Sequence, residues 1–386
     1  MVRLGDVGKV ITGNTPKTSD LQNYTSNDIC FVKPSDIADG TVAHLDGSEF
    51  YISEYARAKA RILPPKSVLV TCIGIIGKVA INNVECAFNQ QINAIIPDNS
   101  KCLTEYLAYA VQNKQPEMQD IANAPVVPIL NKTQFSDIKI KLPSLTDQEE
   151  VVDKLNIVSW LISLRQEQLA KLDELVKSRF IELFGDPIDN PLNWKVADFK
   201  EVVYFQEGPG VRNWQFRDSG IKLINIRNLV DDSLVLENTN NYLSEQEVEE
   251  KYKHFLLDVG DYVMASSGVT WGKIAEIYEE HLPLCLNTSI IRLRPYDETV
   301  ISKKYLFHYI KGDAFRMQIR KLITGSAQPN FGPTHLKKIS IVVPPIELQN
   351  QFAAFVEQTD KSKLAIQESL AELETLKKAL MQKYFG

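Results

Sequence analysis

The chain has no apolar run long enough to cross a bilayer: its most hydrophobic stretch, SVLVTCIGIIGKVAI, is broken by Gly74, Gly77 and Lys78. The opening MVRLGDVGKV has no hydrophobic signal core, which predicts a cytoplasmic protein with no membrane partner. Cysteine is sparse. The five residues (Cys30, Cys72, Cys86, Cys102 and Cys285) are odd in number, scattered and without a C-x-x-C, which argues against a disulfide framework or a zinc site. Positive charge is not in excess either, since the net charge is −6. Residues 1–145 balance with 14 basic and 14 acidic side chains, while 146–185, 186–346 and 347–386 carry −3, −2 and −1. No segment is a basic nucleic-acid module by composition. If the chain binds DNA, a partner supplies much of the phosphate neutralisation.

Catalytic signatures are missing too. There is no G-x-x-x-x-G-K-[ST], no G-x-G-x-x-G after a strand and no G-x-S-x-G. The NPLN at 190–193 has only a superficial likeness to an adenine-methyltransferase motif: it lacks the second proline and the aromatic residue, and no glycine-rich cofactor loop accompanies it. His254, His281, His308 and His335 recur at even intervals, but their contexts share nothing, and no H-x-x-x-H or H-E-x-x-H suggests a metal. Nothing marks a nuclease centre.

What is present is an internal repeat. With 386 residues, 44% apolar and 24% charged, the chain suits two or three soluble globular domains. An offset of 201 residues lays FSDIKIKLPSLTDQ on LKKISIVVPPIELQ, pairing Pro143 with Pro344 and Gln148 with Gln349. Each copy reads as a short strand, a proline that ends it and a helix start. Further upstream, GIIGKVAI answers GVTWGKIAEI, AFNQQI answers CLNTSI, and TEYLAYAV answers KKYLFHYI.

The segments after the prolines are the most regular. Val151, Leu155, Val158, Ile162, Arg165, Leu169, Leu172, Val176, Arg179 and Leu183 alternate steps of four and three, the period of a coiled-coil seam. Adding the same offset gives Phe352, Val356, Thr359, Lys363, Ile366, Leu370, Leu373, Lys377, Leu380 and Tyr384. Neither segment has an internal Gly or Pro, so each predicts a helix roughly 57 Å long. A stripe this long, in shared register, favours the helices packing on each other, as an antiparallel pair, over each packing only on its own domain. Each ends at a Phe-Gly, at Phe184-Gly185 and Phe385-Gly386, where a glycine stops a helix. The segments 1–145 and 186–346 mix short β-rich runs with one or two helices. The predicted fold is therefore α+β: a tandem repeat with pseudo-two-fold symmetry, two globular domains separated by an antiparallel coiled coil of helices at 146–185 and 347–386. GDPIDNPLNW is the linker between the halves.

The order of these features, occurring twice, resembles the specificity (S) subunits of type I restriction–modification systems. The resemblance covers the whole chain. It rests on GNTP (13–16), VLVTCIGIIGKVAI followed by FNQQI, GSAQPN (325–330), LPSLTDQEEVV and VPPIELQNQF before the helices, and LFGDP with NPLNW between the halves. It implies that 1–145 and 186–346 are target recognition domains, each reading one half of an asymmetric bipartite double-stranded DNA target. It also implies that the paired helices set the gap between half-sites and dock two methyltransferase subunits, which the motor–nuclease subunits join. The chain itself would catalyse nothing and carry no cofactor or metal; S-adenosylmethionine, ATP and Mg would belong to its partners. The chain departs from the pattern in two places. The first half lacks a counterpart of Trp194, and NAPVVPIL stands where the second half has GSAQPN.

Base edges are read by Arg, Lys, Asn and Gln, and phosphates are held by Lys, Arg and hydroxyls. On that chemistry the candidate DNA contacts are Thr15, Lys17, Lys33, Lys78, Gln90 and Gln91 in the first domain. In the second they are Arg212, Arg217, Arg227, Lys273, Gln328 and Asn330, with Trp214 and Trp271 as packing or sugar contacts. The bland alternative for each is a solvated surface residue, and for Asn89 and Asn287 it is a structural turn. Two other functional classes compete: a coiled-coil scaffold that binds only proteins, and a standalone modification enzyme. A recognition subunit serving a methyltransferase alone, or a fused restriction system, is a near variant of the resemblance.

Overall fold

The computed structural model describes residues 1–122, 127–268, 270–323 and 330–386. The fold is α+β, as the repeat predicts, and divides into two compact units: Met1–Glu167 with Gln367–Gly386, and Gln168–Ile366. Four helices matter below: α1 (Thr104–Asn113), α2 (Leu145–Phe184), α3 (Lys303–Lys311) and α4 (Ile346–Phe385).

The first unit is built on a five-stranded sheet in the order Gly8–Thr12, Ile92–Pro97, Val68–Thr71, Val79–Asn82, Val42–Leu45. All neighbours are antiparallel except the last pair. A smaller sheet pairs Ile29–Val32 in parallel with Cys86–Phe88. The second unit repeats the plan with Val203–Glu207, Ile290–Pro295, Tyr262–Ala265 and Ile274–Glu276, all antiparallel, and pairs Ile221–Ile224 in parallel with Leu284–Leu286. The central strands run Val-Leu-Val-Thr and Tyr-Val-Met-Ala, buried along their whole length, because each sheet is covered on both faces.

Each unit closes on itself through the prolines. Val2–Arg3 pairs with Lys139–Ile140, shortly before Pro143, and Lys195–Asp198 with Ser340–Val343, immediately before Pro344; each proline ends the extended run and admits the helix. The long helices are held at both ends. In the first turn of α2, Gln148 is fully buried: its amide nitrogen donates to the carbonyls of Lys101 and Pro143, and its oxygen accepts from the Leu103 N–H. Gln349 repeats this in α4, donating to Val300 and Pro344 and accepting from Ser302. At the far ends, the Trp194 indole donates to the Phe184 carbonyl, and the Lys141 ammonium to that of Gly386.

Within each unit, portions of α2 and α4 pack together. In the second unit Asp173 meets Lys363 at 2.5 Å and Phe180 packs on Phe352, so the chain directions oppose. In the first, Lys154 reaches the Tyr384 hydroxyl, and Val151 and Leu155 share a core with Leu380 and Phe385. Along the predicted seam, Val151, Leu155, Val158, Val176, Phe352, Val356 and Thr359 are buried, while Ile162, Leu169, Leu172, Leu183, Ile366, Leu370, Leu373, Leu380 and Tyr384 are half-buried. Aromatic contacts reinforce the helix pairing, and of their members only Phe352 belongs to that register. Phe180 and Phe184 enclose Phe352 and Tyr305 with centroids 4.9–5.5 Å apart, and Phe385 lies 5.2 Å from Tyr106.

Candidate nucleic-acid interface

Strand ends converge at one edge of each unit. In the first, the Gly13 N–H donates to Ile92, the Asn14 N–H to Phe88 and the Asn89 N–H to Val32, so three loops leave the two sheets side by side. Gly13 is required there: a Cβ would lie 2.1 Å from the Asn89 carbonyl oxygen. Asn89 is buried and folds its amide over the turn, accepting from the Gln91 N–H and donating to the Gln91 side chain. Cys72 joins the same edge through its N–H to the Gln91 carbonyl, which brings in the Gly74–Gly77 turn, where both glycines have positive φ. The second unit reproduces this with other residues. A Cβ on Gly208 would sit 2.3 Å from the Asn287 carbonyl, the Ser266 N–H donates to Ser289, and Gly268 and Gly272 have positive φ.

The candidates in the first domain divide. Thr15 donates its hydroxyl to the Gln90 side chain at 2.6 Å, and both are exposed on this edge. Gln91 is tied into the Asn89 turn. Lys33 follows the strand end at Val32 and holds its ammonium 3.0 Å from the Phe50 ring centroid, a cation–π contact. Lys78 turns inward, donating to the Ile37 carbonyl at 3.0 Å. Lys17 is exposed, and its carbonyl accepts from Asn23.

In the second domain Arg212 and Arg227 are exposed, and the Arg217 guanidinium donates to the carbonyls of Trp214 and Phe216. Trp271 packs edge-on against Phe331 at 5.8 Å, whereas Trp214 stands 74% exposed. Lys273, at the place of Lys78, is half-buried with no side-chain partner among the described residues. Asn330 is exposed and bridges Ser267 across from the glycine turn, as Ile129 bridges Ile73 in the first unit. Gln328 lies outside the described residues. Nearby, burial pushes the Glu207 carboxyl above its ordinary range.

Two residues that the sequence does not single out are Arg61, whose guanidinium and N–H hold the Thr12 carbonyl and Asn14 side chain, and Leu21, 76% exposed on the short turn that follows this strand. Only tertiary contact marks the first; an isolated leucine in a polar loop was the available signal for the second. Among the described residues no group of His, Cys, Asp and Glu is arranged to hold a metal, and no helix is long and apolar enough to cross a membrane. All five cysteines are free thiols, and burial pushes those of Cys72, Cys86, Cys102 and Cys285 up to about 12.

Two similar α+β units, each ending in a loop-built polar edge, define a tandem-repeat chain with two heads. The profile of the family described as Type I restriction modification DNA specificity domain matches residues 1–174 and 191–376, and the chain belongs to that family, with two copies of its domain. It is accordingly a non-catalytic DNA target recognition subunit of a type I restriction–modification system. It is 23% identical to the type I restriction enzyme MjaIX specificity subunit of Methanocaldococcus jannaschii, over 99% of this chain and 91% of that one. With the MjaVIII specificity subunit of the same organism it shares 24% identity, over 99% and 90%. Among solved structures, the S subunit of a type I system from M. genitalium superposes with a TM-score of 0.54 at 13% identity, covering 100% of this chain and 95% of that one. A chain from a structure of type I complex assembly and conformational transition gives 0.60 at 18% identity, covering 99% and 96%. At these identities the structural likeness speaks for the fold.

Proposed function

We propose that this chain reads an asymmetric bipartite DNA target, with the domains at 1–145 and 186–346 each taking one half-site. The segments 146–185 and 347–386 act as spacer helices that set the unread gap. Their outer faces dock two methyltransferase subunits, through which motor–nuclease subunits join. S-adenosylmethionine, ATP and Mg serve those partners, and the complex works in the cytoplasm. The observation that supports this reading most is the pair of equivalent edges. The same strand ends converge in both units, held by the same glycine-over-asparagine packing, yet they present different side chains, so the two half-sites should differ.

Methylome sequencing tests it. Co-expressed with its methyltransferase in a host free of adenine methylation, the chain should yield an asymmetric motif with a fixed gap and N6-methyladenine in both halves. A palindromic motif would mean that one domain reads across a dimer; no motif from an active complex would end the reading. Within that frame Lys273→Ala should weaken binding at all sequences. Lys78→Ala should change it little, because its ammonium already serves the Ile37 carbonyl.

A further inference from the structure

Resting on the two-headed reading above, we propose that Leu21 and Trp214 are the apolar DNA contacts of the two heads, each delivered by a short helical turn with an exposed, phosphate-binding cation on the same loop. Single exposed apolar residues are common and need no explanation. These two differ because they stand on matching turns, one position apart: Leu21 lies two residues before the buried Asn23 and Trp214 one residue before the buried Gln215. Each follows the glycine that closes the reading edge, Gly13 or Gly208, and each lies on the first short helical turn after it, Leu21–Tyr24 or Asn213–Gln215. They are 76% and 74% exposed.

Both turns are held from beneath by a buried side-chain amide. Asn23, fully buried, donates to the Lys17 carbonyl at 2.9 Å and accepts from the Lys59 ammonium at 3.2 Å. Gln215, 5% exposed, accepts from the Arg212 N–H at 2.8 Å and donates to Glu247 and the Tyr252 hydroxyl. An aromatic follows each amide and packs inward: Tyr24 donates to the Pro16 carbonyl, and Phe216 joins a small core with Leu223 and Val248. The domains thus order these turns firmly and still leave a large apolar side chain in water. Burying Leu21 or Trp214 in the domain contributes nothing to that order, so their use lies outside it.

Charge indicates the occupant. Lys17, Arg212 and Arg217 are exposed beside the two side chains, and among the described residues none of them is in an ion pair. An apolar tip with an unneutralised cation on its loop suits a duplex: the cation holds a phosphate, while the tip meets a thymine methyl or wedges at a base step. Tryptophan can also stack, which is worth about tenfold or more in affinity per base.

The test uses the complex with its methyltransferase, a duplex carrying the methylome-derived motif, and Trp214→Ala and Leu21→Ala variants. Both positions are exposed, so melting temperatures should stay at the wild-type value. Trp214→Ala should cut target affinity about tenfold and relax only the half-site read by the second domain; Leu21→Ala should relax only the other. The salt dependence should be unchanged in both, whereas Arg212→Ala should lower the salt slope by about one without altering the motif. Trp214→Phe should recover most of the loss. Wild-type affinity and an unchanged motif in both alanine variants would overturn the proposal while leaving the two-headed reading intact. So would a folded Trp214→Ala chain that no longer binds the methyltransferase, since the turn would then be a protein contact. A wild-type complex with no motif would remove both.

Discussion

Gln148 and Gln349 make the same three hydrogen bonds in the two units, and Tyr106 and Tyr305 each donate to the backbone just before the long helix, at Lys141 and Val342. The strands between these anchors are less alike. Where the first unit places the buried Ala94, the second places Arg292, 4% exposed, which donates to Asp261, to the Leu256 and His254 carbonyls and to Gln206. At the loop-built edge the likeness lies mainly in backbone: glycines and asparagine turns recur, while most of the displayed side chains change. The repeat is constrained unevenly. Attachment of domain to helix tolerates one solution, a sheet interior tolerates an apolar or an ionic one if every charge is partnered, and the loops are free to diverge.

The aromatic anchors should differ most between the units. Phe352→Ala empties a site ringed by Phe180, Phe184 and His308 and should cost about 3–5 kcal/mol in denaturant unfolding. Phe385→Ala should cost less, because Phe385 is 6% exposed and keeps one ring partner, Tyr106. Equal losses would contradict the denser aromatic packing of the second unit. Next come the glutamines. Gln148→Leu or Gln349→Leu strands one N–H and two carbonyls and should destabilise by at least about 2 kcal/mol. The two values should agree within about 1 kcal/mol, and a larger gap would show that the anchors are not equivalent.

Acid should separate the units. His308, where the repeat places Tyr109, is driven down to about 3 by burial and by the nearby Lys311 and Lys304. Its unfolded value is near 6.5, so its contribution is complete above that pH and is lost as pH falls towards 3. At pH 5 the loss should be about 1–2 kcal/mol, confined to the second unit in hydrogen exchange. His308→Phe should flatten the slope, and an unchanged pH profile would refute the assignment. The smallest effect belongs to Lys363→Ala. Its partner Asp173 is 62% exposed, so melting should report less than about 1 kcal/mol.

Much of this was legible in the sequence. The 3.5-residue stripe, the proline–helix junctions and the repeat itself predicted two α+β domains and two long helices, because periodicity and chain breaking are local properties. The candidate contacts were less legible. Lys78 and Lys273 look alike in sequence, yet one is bound to the Ile37 carbonyl and the other has no partner among the described residues. Trp214 and Trp271 read alike as packing or sugar contacts, yet only the second packs, against Phe331.

The sequence alone specifies the architecture: how many units, in what order, and where each long helix starts and stops. It could do so because amphipathic period, proline and glycine act over a few residues, and the repeat states each instruction twice. Only the tertiary structure decided which polar groups hold the fold and which face outward. A lysine or tryptophan serves either use equally well until distant strands such as Ile29–Val32 and Cys86–Phe88 are brought together, and the carbonyl or ring that claims it comes within reach.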